Sequence, residues 1–211
     1  MGCFIDVRPV TNNNDGTFDY DPGADFQSLA MGQTETVALT YTATDDSGTD
    51  LATSENGSVT ITVTGTNDAP TVASINAGTA NEDGATVTIN LLATANDVDG
   101  DDLDTSSVGV TSSDMRTVSF SVVNETGVLS IDPGQFNDLA LSESVTLTAS
   151  YNVIDGNGGL VANTATLVIT GNNDVPTVTD VTVSANEDGG PVTNISFLGS
   201  DVDTSDTLTY I

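Results

Sequence analysis

The sequence predicts an all-β chain of seven-stranded sandwiches set end to end. Three observations lead there: a set of motifs returns after about 106 residues, apolar residues between the motifs recur with a period of two, and acids gather in the short segments separating the apolar runs. Composition agrees. Of 211 residues, 31 are acidic and 2 basic, a formal charge of −29. Aspartate outnumbers glutamate 25 to 6. Aspartate favours turns, caps and oxygen-ligand sites, whereas glutamate favours helices.

The repetition sets the organisation. Gly65-Thr66-Asn67-Asp68-Ala69-Pro70 returns as Gly171-Asn172-Asn173-Asp174-Val175-Pro176, 106 residues later. Asn81-Glu82-Asp83-Gly84 returns at Asn186–Gly189, and Asp97-Val98-Asp99 at Asp201-Val202-Asp203. Upstream, Asp21-Pro22-Gly23 matches Asp132-Pro133-Gly134, and Tyr41–Asp45 matches Tyr151–Asp155. The chain therefore reads as the back of one unit (1–68), a whole unit (69–174) and the front of a third (175–211), a fragment of a longer array.

Within the whole unit a first strand is expected near Thr71–Ser74. Val87, Ile89 and Leu91 alternate with Thr and Asn to give the second, and Leu103–Val110 the third. Val118, Phe120 and Val122 alternate with Ser in the fourth, and Leu129 and Ile131 mark the fifth. Val145, Leu147, Ala149, Tyr151 and Val153 form the sixth; Ala165, Leu167 and Ile169 form the seventh. Such alternation, rich in Val and Thr and bounded by Gly, Asp and Asn, describes half-buried strands. Seven short antiparallel strands in roughly 100 residues suggest an immunoglobulin-like sandwich. Phe18, Tyr20, Phe120, Phe136 and Tyr151 are assigned to the core.

Several function classes are disfavoured by the same inventory. The chain has no lysine and no histidine, so it lacks the basic footprint of a nucleic-acid binder and the imidazole of most general bases and zinc sites. A lone Cys3 cannot form an internal disulfide. No apolar run reaches the length of a membrane span, and no leader pattern is visible at the amino terminus. Catalysis is not expected.

The destination of the acids follows from parity. In an up-and-down sandwich of seven strands, loops after even strands return to the entry pole and loops after odd strands lie at the exit pole. Asp97–Asp102 and Asp155–Gly159 then share the entry pole of the whole unit, while Glu82, Asp83, Asp132, Asn173 and Asp174 share its exit pole. Stacking units end to end brings Asn67, Asp68 and Asp21 toward Asp97, Asp99 and Asp155. It likewise brings Glu82, Asn173 and Asp174 toward Asp201 and Asp203. Two carboxylates ~6 Å apart repel by roughly 3 kcal/mol at an effective dielectric near 20. A hard cation with six to eight oxygen ligands removes that repulsion, and this is calcium chemistry. Single Asp-Gly and Asn-Gly turns need no metal. The run Asp97–Asp102, with four aspartates in six residues, exceeds what a turn requires. It is no EF-hand, since Asp102 and Val108 stand where that motif has Gly and Glu.

At the linker Gly65–Pro70 and its copy, the sequence resembles cadherin repeats. It is closer still to the bacterial cadherin-like and VCBS-type tandem repeats of giant RTX-family adhesins, through Asp15–Phe26, Tyr41–Gly48 and Val59–Pro70. The resemblance implies secreted β-sandwich spacers on a bacterial cell surface, with Ca2+ held at the domain junctions. The implied ligands are Asn67, Asp68, Asp97, Asp99 and Asp155 at the first junction, and Glu82, Asn173, Asp174, Asp201 and Asp203 at the second. The Leu-Asp-Arg-Glu loop of cadherins is missing; Asp-Pro-Gly occupies its region. The expected function is a mechanical extender supporting adhesion. Its expected partners are calcium ions, neighbouring repeats and, through distal domains, a host, biofilm or abiotic surface. A ligand- or glycan-binding sandwich, or a spacer within a large secreted enzyme, are the alternatives.

Overall fold

The computed structural model describes residues 10–49 and 53–211; Cys3 and Arg8 lie outside the described residues. The chain divides into two compact units. The first takes the residues up to Thr71 together with Ala95–Leu103 and Ile154–Val161, and the second takes Val72–Thr94, Asp104–Val153 and Ala162–Ile211.

In the first unit, β1 (Val10–Asn12) pairs antiparallel with β2 (Phe18–Tyr20). β3 (Thr34–Tyr41) pairs antiparallel with β4 (Gly57–Thr64) along its whole length, from Thr34 opposite Thr64 to Tyr41 opposite Gly57. The short strands end at Asx turns: Asp15 and Asp21 each accept a hydrogen bond from the backbone N–H two residues on, at Thr17 and Gly23.

The second unit is built around seven strands. These are β5 (Ile75–Asn81), β6 (Val87–Asn90), β7 (Asp104–Ser112), β8 (Phe120–Val123), β9 (Val128–Ile131), β10 (Ser144–Ile154) and β11 (Leu160–Thr170). They form a four-stranded sheet, β5-β11-β10-β7, and a three-stranded sheet, β6-β9-β8. Alternate residues of facing strands supply the core: Ile89, Leu129, Ile131, Leu147, Val153, Leu167 and Ile169 are buried, as are Leu91 and Phe136 outside the strands. Each such side chain stabilises the fold by about 1.5–3 kcal/mol. Tyr151 is buried too, and its hydroxyl donates to the Leu91 carbonyl at 2.9 Å. Two short pieces, β12 (Thr177–Thr179) and β13 (Leu198–Ser200), pair antiparallel after the linker.

Three expectations are corrected. The first strand runs over Ile75–Asn81 rather than Thr71–Ser74, where only Thr71 makes an isolated bridge, to Asn96. Nor are all seven strands antiparallel: β5 lies parallel to β11, from Ile75 opposite Ala165 to Asn81 opposite Thr170. Parity explains this, because the first and seventh strands of an up-and-down run point the same way and here become neighbours. Phe120 is the third correction. It is 38% exposed on β8, an edge strand, while Val118 is buried. Phe18 and Tyr20 are half-buried.

Candidate metal centres

The described residues contain two groups of acids whose oxygens lie within 4.8 Å of one another: Asp97, Asp99 and Asp101, and Glu82, Asp174 and Asp203. Each lies inside a single compact unit.

The first centre grows from three backbone segments. The loop after β6 carries Asp97, whose Oδ1 accepts the N–H of Asp99 at 2.8 Å and holds the Asp-x-Asp segment in a tight turn. The β10–β11 hairpin presents Asp155, whose Oδ1 accepts the N–H groups of Asn157 at 2.8 Å and Gly159 at 2.9 Å. The linker after β4 joins both. Asn67 Nδ2 donates to Asp155 Oδ2 at 2.9 Å, and the Asp68 N–H donates to Asp99 Oδ2 at 2.7 Å. Asn157 Nδ2 donates to Asp101 Oδ2 at 2.7 Å. All five expected residues are thus joined through this network. Burial pushes the Asp155 carboxyl up, but hydrogen bonds from Asn67, Asn157 and Gly159 outweigh it and hold the group below its ordinary value.

The second centre repeats the scheme. Asp201 Oδ1 accepts the N–H of Asp203 at 3.1 Å, and Asp203 Oδ2 accepts the N–H of Asp174 at 2.9 Å. Asn173 Nδ2 donates to the Asp174 carbonyl at 2.7 Å, as Asn67 Nδ2 does to the Asp68 carbonyl at 3.2 Å. Glu82, at the end of β5, is 1% exposed. Its Oε1 accepts the Asn172 N–H at 2.6 Å and its Oε2 the Leu139 N–H at 3.3 Å. Burial raises the Glu82 pKa, and the charges of Asp83 and Asp174 add to that. Asp174 is also raised, by desolvation first and then by Asp83, Asp203 and Asp201. Gly171 lets the linker start here: a Cβ would strike the carbonyl oxygens of Leu139 and Ala140.

The chemistry of the donor set fits calcium. Buried side-chain oxygens without a hydrogen-bond partner include Asn67 Oδ1, Asp97 Oδ2, Asp99 Oδ1 and Asp203 Oδ1. A buried polar atom without a partner costs about 1–3 kcal/mol, more when charged. Here such atoms concentrate in the acid clusters, and all are hard oxygens. At Asp97, Asp99 and Asp203 the hydrogen bond takes one carboxylate oxygen for a backbone N–H and leaves the other without a partner.

Asp21 and Asp132, placed at the poles by parity, serve as turn caps instead; Asp132 Oδ1 accepts the Gly134 N–H at 3.1 Å. Asp83 sits at the second centre's margin, accepting from Asn172 Nδ2 at 2.8 Å. Three contributors lie outside the ligand sets that the resemblance implies. Asp101 extends the alternation of Asp97 and Asp99 by two residues, a signal that was available. Asn137, which donates to Asp174 Oδ2 at 2.9 Å, and Asp138, whose carbonyl accepts the Thr204 N–H at 3.3 Å, carried no such signal.

Residues 66–170 match the family model of the cadherin-like domain, and this all-β sandwich is cadherin-like in fold. No curated protein matches the sequence. Among solved structures, the human desmocollin-1 ectodomain is 19% identical with a TM-score of 0.37, over 82% of this chain and 33% of that one. Drosophila N-cadherin EC1-4 is 19% identical with a TM-score of 0.44, over 83% and 42%. Protocadherin GammaB4 is 13% identical with a TM-score of 0.46, over 92% and 32%. The chain spans less than half the length of each of these structures.

Proposed function

We propose, from the premise of a cadherin-like domain, that the chain is an extender segment of a secreted bacterial surface adhesin whose repeat junctions are stiffened by calcium. The repeats are 1–68, 69–174 and 175–211, set in tandem, and the two centres are their junctions. Asn67, Asp68, Asp97, Asp99, Asp101 and Asp155 hold metal at the first; Glu82, Asn173, Asp174, Asp201 and Asp203 hold it at the second. Calcium supplies positive charge where the chain has only carboxylates and amides. A single observation carries the reading. The Asp99 and Asp203 carboxylates, at equivalent repeat positions, each give one oxygen to a linker N–H and leave the other buried without a partner.

Without calcium, repulsion among these acids loosens the linkers; with it, linker and loops share ligands and the rod resists bending. A site with a Kd near ~10⁻⁴ M in calcium ~100-fold higher stabilises the bound form by roughly 2.7 kcal/mol. Calorimetric melting with calcium and with a chelator tests the proposal. The melting temperature and the hydrodynamic length should both rise in calcium. Identical melting and identical dimensions in the two buffers would refute it.

A further inference from the structure

Arg116 is the one basic side chain among the described residues, and it is not placed at random. It follows β7, and its guanidinium makes three hydrogen bonds to two carboxylates. Nε donates to Asp114 Oδ2 at 2.6 Å, NH1 to Asp138 Oδ1 at 2.5 Å and NH2 to Asp138 Oδ2 at 3.1 Å. Its carbon lies 5.0 Å from the centre of the Phe136 ring, which is fully buried. This fork-to-fork pair fixes Asp138 in both position and direction.

Asp138 is the middle residue of a three-residue strap, and the other two residues reach the second metal centre. Asn137 Nδ2 donates to Asp174 Oδ2, and the Leu139 N–H donates to Glu82 Oε2. The backbone carbonyl of Asp138 accepts both the N–H and the hydroxyl of Thr204, next to Asp203, at 3.3 Å each. One clamped residue therefore orients two acids of the centre and the segment that carries a third. The repeat alignment through the shared Leu-Ala that packs on Gly65 and Gly171 puts Gln27 and Ser28 where Asn137 and Asp138 stand. The first unit thus has no acid at this position for a cation to hold.

We infer that Arg116 is a positioning residue for the second centre: it fixes the Asn137–Leu139 strap, and through it the calcium affinity of Glu82, Asp174 and Asp203, while leaving the first centre alone. The inference rests on the calcium reading above. Outer partners that orient metal ligands commonly change affinity by about 10–100-fold when removed.

The test is a calcium titration by calorimetry on the full chain, with the second centre read in a D99N background and the first in a D203N background. R116A is expected to weaken the second centre about tenfold and to shift the first less than about twofold. R116K restores charge but not the fork, so most of the loss should remain. D138N, which keeps the side chain's shape, should weaken the second centre severalfold and covers the case in which R116A does not fold. Unchanged affinity of the second centre in R116A or D138N, full rescue by R116K, or equal losses at both centres would overturn the clamp. If the unmodified chain binds calcium at neither centre, the calcium reading fails instead, and the two failures are distinct.

Discussion

The two centres share one hydrogen-bond scheme and differ in what surrounds it. At the first, the acids are half-buried apart from Asp155, which its amide partners keep readily ionised. At the second, Glu82 and Asp203 are buried, Glu82 and Asp174 are hard to ionise, and an arginine-clamped strap leans on them. The same donor pattern can therefore be built in two electrostatic settings. At the first, the empty fold leaves buried oxygens of Asn67, Asp97 and Asp99 without partners; at the second, it leaves one on Asp203 and seats the ionisable Glu82 in the interior. A cation would satisfy unmet oxygens at the first, and would neutralise a buried carboxylate as well at the second.

The sharpest way to break this comparison is to delete the shared element at each centre. D99A and D203A should each abolish calcium-dependent stabilisation at their own centre, a loss on the order of 2–3 kcal/mol per site in excess calcium, seen by calorimetric melting. Equal residual stabilisation in single and double variants would mean the centres do not act separately.

A smaller effect, unequal in the two buffers, belongs to Glu82. E82Q removes a buried charge but also one of the two acceptors used by the Asn172 and Leu139 N–H groups. In chelator these changes oppose each other and should leave a loss of about 1 kcal/mol or less, whereas in calcium the lost ligand adds to it. D97N, at the half-buried centre, should cost stability in calcium and change little in chelator. A Glu82 variant that behaves like the Asp97 variant would erase the distinction.

The pH dependence sharpens the same point. The unfolded chain ionises Glu82 near 4.5 and Asp174 near 3.8; their folded pKa values are higher. Between those limits the folded state binds more protons, so metal-free stability falls as pH rises through the window and is recovered on mild acidification. Asp155 runs the other way. Its folded pKa is depressed, so its contribution is present above 3.8 and is lost as pH falls through the folded value. Melting in chelator should therefore be higher near pH 5 than at pH 7. In calcium the order should reverse, because protons compete for the ligands.

Much of this was legible in the residues. Val145–Val153 and Ala165–Ile169 alternate without interruption, and they became the long strands β10 and β11. The Asn-Asp and Asp-x-Asp copies pointed to the same groupings that the hydrogen bonds join. The first strand was hidden because Ile75–Asn81 has few large apolar residues and a glycine in the left-handed region, Gly78 with φ 80°. Phe120 followed the right period but sits on an edge strand, which no single-strand pattern reveals. The strap has no sequence signature, because Arg116 and Asp138 are 22 residues apart and meet only through the tertiary fold.

Calcium titration of the unmodified chain beside the D99N/D203N double variant reaches the central claim most directly. Binding with at least one ion per centre in the former, and its loss in the latter, is the predicted result. Equal heats from the two proteins, or none from either, would contradict it.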